Sequence, residues 1–146
     1  MPVGDDERLR EILERARTIA VVGASGSEQK DAHEVPAYLQ DQGYWVIPVN
    51  PARDEVLGRK AADGLRELER DVDVVNVFRP ASEAPDIARA AVDIGANVLW
   101  LQLGIRSEDA ARLAEDAGLT VVMDECMRAT HERLGIKGAP ARRNPS

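Results

Sequence analysis

Ile19-Ala20-Val21-Val22-Gly23-Ala24-Ser25-Gly26 decides the fold: a short apolar run that ends in small residues. A buried strand that turns into a helix through such residues is how α/β proteins set backbone N–H groups around a phosphate. A dinucleotide fingerprint would add three spaced glycines and an acidic residue at the end of the second strand. Neither is present. Ser27-Glu28-Gln29-Lys30 follows Gly26, and the second apolar run, Tyr44-Trp45-Val46-Ile47-Pro48-Val49, ends at Asn50-Pro51. The loop suits a phosphate, but the carboxylate that reads the ribose of NAD is missing. The pattern therefore implies a nucleotide other than NAD.

Working outward, five strand-like runs are expected at Ile19–Val22, Trp45–Val49, Val72–Phe78, Val98–Leu103 and Leu119–Met123. Their centres recur about every 25 residues, the length of a strand plus its crossover helix. Helices are expected at Asp5–Ala16, His33–Asp41, Asp63–Glu69, Glu83–Ile94, Ser107–Ala117 and Glu125–Leu134, with Gly43, Gly95 and Gly118 as stops. Asp31 and Glu34 have capping-box spacing, and Pro36 is comfortable only in a first turn, which puts the first crossover helix's start near Ala32–Glu34. The runs are continuously apolar, as in a parallel sheet covered on both faces. The fold class is α/β: a doubly wound, Rossmann-like, five-stranded parallel sheet of order 3-2-1-4-5 with helices on both faces. Residues 1–136 are expected to form one domain, and the polar, Pro- and Gly-rich tail 137–146 to be disordered.

Composition narrows the function classes. The 146 residues make one domain's worth of core. No apolar stretch is long enough to span a bilayer, and the acidic start does not read as a secretory leader, so a cytoplasmic protein without membrane partners is expected. A net charge of −7 argues against nucleic acid as a partner. One cysteine, Cys126, excludes an internal disulfide and a multi-cysteine metal cage, and no metal site is expected. Arginine outnumbers lysine sixteen to three, so Lys30 beside the glycine loop carries more weight than any single arginine.

In a doubly wound sheet the ligand lies at the C-terminal strand ends, where the strand order reverses. Five segments fall there: Gly23 to Lys30, Asn50-Pro51-Ala52-Arg53, Phe78-Arg79-Pro80, Gln102-Leu103-Gly104-Ile105-Arg106 and Asp124-Glu125-Cys126. Together with the strands before them, Ala20-Val21-Val22-Gly23-Ala24-Ser25, Ile47-Pro48-Val49-Asn50-Pro51, Val77-Phe78-Arg79-Pro80, Trp100-Leu101-Gln102-Leu103-Gly104-Ile105 and Val122-Met123-Asp124-Glu125-Cys126, they resemble the CoA-binding domain family. That family is similar to the nucleotide-binding half of the succinyl-CoA synthetase alpha subunit and also occurs as small stand-alone proteins. The resemblance runs from about Arg8 to Leu134 and implies coenzyme A as the bound ligand.

The residues fit such a ligand. The N–H groups of Gly23, Ala24 and Ser25, with the Ser25 hydroxyl, are placed to take a phosphate oxygen. Lys30 offers a point charge. Asn50 and Pro51 close the second strand without a carboxylate, and Arg53, Arg59 and Lys60 either screen the ribose 3′-phosphate or form a solvated loop. Phe78 and Arg79 stand at the third strand end, where Arg79 either meets the ligand or pairs with Glu83. Gln102 either faces the ligand or satisfies backbone between strands. Gly104 permits close approach of the pantetheine arm, Ile105 gives it an apolar contact, and the resemblance puts Cys126 near the pantetheine thiol.

The reading that follows is a CoA- or acyl-CoA-binding protein without catalysis of its own and without catalytic residues. An NAD(P)-dependent oxidoreductase or nucleotide-binding regulator is the alternative, disfavoured by the missing ribose reader. A thiol or redox sensor built on Cys126 is a third, opposed by Asp124 and Glu125 beside it. The synthetase relatives transfer phosphate through a histidine on a second domain, so a complete synthetase is not expected here.

Overall fold

The structure, a computed structural model, describes residues 1–27 and 30–136; the expectation for the tail 137–146 lies outside the described residues. Along the chain the elements are α1 (Asp6–Arg15), β1 (Thr18–Val22), α2 (Asp31–Asp41), β2 (Trp45–Val49), β3 (Glu55–Val56), β4 (Arg59–Lys60), β5 (Val74–Val77), α3 (Ala84–Asp93), β6 (Val98–Leu101), α4 (Glu108–Asp116), β7 (Thr120–Val122) and α5 (Met127–Arg133). The expected helix at 63–69 shrinks to a 3-10 turn, Leu65–Glu67. Caps fix the helix starts that the sequence signals: Asp5 accepts from the Arg8 N–H at 3.1 Å and Ser107 from the Ala110 N–H at 3.1 Å.

The five main strands form one parallel sheet in the order β2-β1-β5-β6-β7. Leu9 and Leu13 of α1, Val35 and Leu39 of α2 and Met127 of α5 bury one face with Tyr44 and Trp100. The other face is covered by α3 and α4, whose small inner residues Ala88, Ala91, Ala110 and Ala114 let the two helices lie close together. That double cover is why the strands lack polar alternation.

Counting only the five main strands, the order is 2-1-3-4-5, because Val72–Phe78 does not lie outside β2; its strand pairs with β1 on the side away from β2. The expected 3-2-1-4-5 pattern is recovered with a different third member. Ala62 bridges Val49 in parallel at the outer edge of β2, and the strand at 74–77 takes the fourth place. Pro48 is tolerated in β2 because its missing N–H falls on that outer edge, where its carbonyl accepts from the Ala62 N–H at 3.0 Å. The strand at 74–77 starts two residues later than expected because the Asp73 carboxylate turns back to the N–H groups of Arg17 and Thr18, at 2.8 and 2.9 Å.

The short hairpin β3–β4 was not expected. Leu57 and Gly58 turn it with φ of 56° and 74°, and only the glycine of that pair signals such a turn. The expected capping box of α2 does not form: the helix begins at Asp31, and Lys30 caps it without a side-chain hydrogen bond. Pro36 lies in the second turn, buried. It leaves the carbonyl of Ala32, four residues back, without its helical N–H, and the Ser25 N–H donates to that carbonyl at 2.9 Å. No described helix is long and apolar enough to cross a membrane.

Candidate functional site

The strand order reverses between β1 and β5, so the crevice opens above Gly23 and Phe78-Arg79. Gly23 leaves β1 at φ 89°, a left-handed conformation that suits glycine. A Cβ there would lie 2.9 Å from Cδ of Arg79 and 3.1 Å from the Phe78 carbonyl oxygen, so the two loops touch. The loop after β2 joins them. Asn50 donates from Nδ2 to the Ala24 carbonyl at 2.8 Å and accepts the Ala52 N–H on Oδ1 at 2.8 Å. Arg53 then reaches back over the glycine loop, its guanidinium filling the space beside Gly26 that a Cβ would need.

Hydrogen bonding revises the phosphate cradle. The Gly23 N–H donates to the Val49 carbonyl at 2.9 Å and the Ser25 N–H to Ala32, so neither is left for a ligand in this conformation. The Ala24 N–H has no acceptor among the described residues. The Ser25 hydroxyl accepts from the Ser27 N–H at 3.0 Å and keeps its own proton to donate. Lys30 is exposed where α2 begins, and Pro51 and Arg53 are exposed in the loop after β2. Of the residues expected to hold an anion, Ala24 is buried, Ser25 keeps its hydroxyl proton, and Lys30 and Arg53 are exposed.

Arg79 is held by Glu83 in a bidentate pair, Nε to Oε1 at 3.0 Å and Nη2 to Oε2 at 2.7 Å. Those hydrogen bonds lower the Glu83 carboxyl below the ordinary carboxylate range and raise the Arg79 guanidinium. Arg59 lies on β4 with its guanidinium carbon 3.5 Å from the centre of the Trp45 ring, whereas Arg53 lies against Gly26.

The loops after β6 and β7 form a second group. Asp124, at φ 61°, accepts the Gly104 N–H on Oδ1 at 2.6 Å and faces Arg106 at 3.4 Å. Gly104 has open space around it; its φ of 86° rather than a close approach accounts for the glycine. Ile105 is half-buried against the α3–α4 core. Gln102 is buried, and its Oε1 accepts from Asn76 Nδ2 and the Met127 N–H, both at 3.3 Å, which makes it an internal brace. Cys126 is half-buried at the start of α5, its sulfur accepting from the Ala129 N–H at 3.5 Å. Phe78 and Cys126 both pack on the core cluster that contains Ala24. The bracing role of Asp124 went unread because an aspartate at a strand end carries no signal of left-handed geometry.

A cavity of about 960 Å³ lies elsewhere, along the outer edge of β2 against Trp45, Arg59 and Arg70. Its walls contain none of Ala24, Ser25, Lys30 and Arg53, so volume alone does not mark the candidate site.

The chain is 42% identical over 123 residues to the uncharacterized protein YneT of Bacillus subtilis, covering 84% of this chain and 91% of that one. A solved structure of a hypothetical protein from Pyrococcus horikoshii OT3 superposes with a TM-score of 0.89 at 38% identity, covering 93% of this chain and 97% of that one. Over 65 residues the chain is 40% identical to the alpha subunit of an ADP-forming acetate–CoA ligase II of Pyrococcus furiosus, 44% of this chain but 14% of that protein. The family described as CoA binding domain matches residues 17–132, a span that takes in all five strand-end loops. On this match the chain belongs to the CoA-binding domain family.

Proposed function

We propose that this chain is a CoA- or acyl-CoA-binding protein of the cytoplasm that works without catalysis of its own. The observation that carries the reading is the seating of the Arg53 guanidinium over Gly26, which puts a cation on the glycine loop at the switch point. Lys30 adds a second cation where α2 begins. A pyrophosphate bridging these two groups would meet the Ser25 hydroxyl beneath it. Asn50 spends its amide on the loop where an NAD site would carry a ribose-reading carboxylate, which favours CoA over NAD.

Calorimetric titration with CoA, acetyl-CoA, NAD and NADP tests the reading. CoA and its acyl form should release or absorb heat on binding while NAD and NADP do little. The same preference should appear as thermal stabilisation, on the order of 2.7 kcal/mol at about 100 Kd of ligand. Equal binding of NAD and CoA would favour the nucleotide-binding regulator or oxidoreductase instead.

A further inference from the structure

We propose that the groove along the outer edge of β2 is the contact face for a second copy of this chain. Its centre is Trp45, 42% exposed, one of the few large apolar side chains on the surface of the described residues. Arg59 and Arg70 stack on that ring, with guanidinium carbons 3.5 and 4.4 Å from its centre, so the indole is held rigid. Ile47 and Leu68 extend the apolar floor. Rigid tryptophan and arginine side chains around an apolar centre are the residue types that dominate protein contact faces.

Charge selects the occupant. Arg59, Lys60 and Arg70 line the groove, and so do Asp54, Asp63, Glu67 and Glu69. Among the described residues none of these seven has an opposite charge within 4.0 Å. Burial first, and the like charge of Arg70 second, depress the Arg59 guanidinium. An acidic partner would gain the arginines and meet four carboxylates; a basic one would meet the reverse. A two-fold axis resolves the conflict, because it sets each residue against a different residue of the same face. The cations of one copy then face the carboxylates of the other.

The contact is made through side chains. Sheet extension is closed off along most of the edge, since Pro48 has no N–H there and Ala62 occupies Pro48 and Asn50.

Sedimentation equilibrium on the full chain, over about 1 to 500 µM, tests the assignment in the range where micromolar affinities are read. The parent chain should dimerise, and Trp45 emission should shift to the blue with concentration while that of buried Trp100 stays fixed. Arg70→Glu alone, and Glu67→Arg with Glu69→Arg, should each give monomers. Mixed in equal amounts they should associate again, a rescue that misfolded variants would not show. A parent chain that stays monomeric throughout overturns the assignment, whether or not its Trp45 emission responds to added inorganic phosphate. Variants as dimeric as the parent overturn it too.

Discussion

Asn50 Nδ2 donates to the carbonyl of Ala24 at 2.8 Å, so the end of β2 holds the glycine loop after β1 in place. Asn50→Asp keeps the size and the Ala52 turn but sets a carboxylate against that carbonyl. It should cost about 1 to 3 kcal/mol of stability, as for a lost bond that leaves the acceptor of a buried residue unmet. CoA binding should weaken further, since the new charge stands beside the proposed phosphate. Thermal unfolding and calorimetry on the same variant separate the two effects.

Arg53 lies over Gly26, and under the proposed function it serves the pyrophosphate rather than the ribose 3′-phosphate. Arg53→Ala should therefore weaken CoA and dephospho-CoA by the same factor, with a loss of about 1.5 to 3 kcal/mol for one charge-assisted contact. Lys30→Ala should behave alike, and both losses should shrink in high salt. A variant that weakens CoA alone would return its cation to the 3′-phosphate.

Arg79 lowers the Glu83 carboxyl chiefly through its two hydrogen bonds. A carboxyl depressed in the folded state adds stability above its unfolded value, and that increment is lost as pH falls through the folded one. The window therefore lies below about pH 4.3, and Arg79→Ala should bring the Glu83 midpoint back up to about that value in a carboxyl NMR titration. The stability change should be small because both groups are exposed. If CoA draws Arg79 away from Glu83, saturating ligand should raise the Glu83 midpoint in the same direction.

Cys126 caps α5 through its sulfur. Cys126→Ser keeps an acceptor there and should change stability by no more than about 0.5 kcal/mol, whereas Cys126→Ala should lose about 0.5 to 2 kcal/mol. Reversible CoA binding should survive the serine substitution. With CoA disulfide as oxidant, the Cys126 thiolate should attack one sulfur, release one CoA thiol and retain the other CoA as a mixed disulfide. Intact mass should show one added CoA, absent in Cys126→Ser.

The apolar runs and glycine stops located every main strand and the five longest helices, because burial on both faces leaves an unbroken apolar signature. Strand adjacency was less legible. Ala62 takes the third place with a single bridge, too short to leave any pattern, so the place was read into Val72–Phe78. Within the site, residue types near the loops were readable, but not their reach. Arg53, Arg59 and Lys60 stand within eight positions in the chain, yet the β3–β4 turn sends Arg59 to Trp45 and leaves Arg53 over the glycine loop. Gln102 reads as polar and is spent inside, a fate set by Asn76 and the Met127 N–H, distant in sequence.

Pro36 gives the loop after β1 a dependence on a residue eleven positions downstream of Ser25. By withholding its own N–H it makes Ala32 an acceptor for the loop, so helix regularity is given up to hold an irregular turn in one shape. An alanine at 36 would be the better helix former and would compete for the same carbonyl. Selection for thermal stability alone would therefore work against loop order at this position.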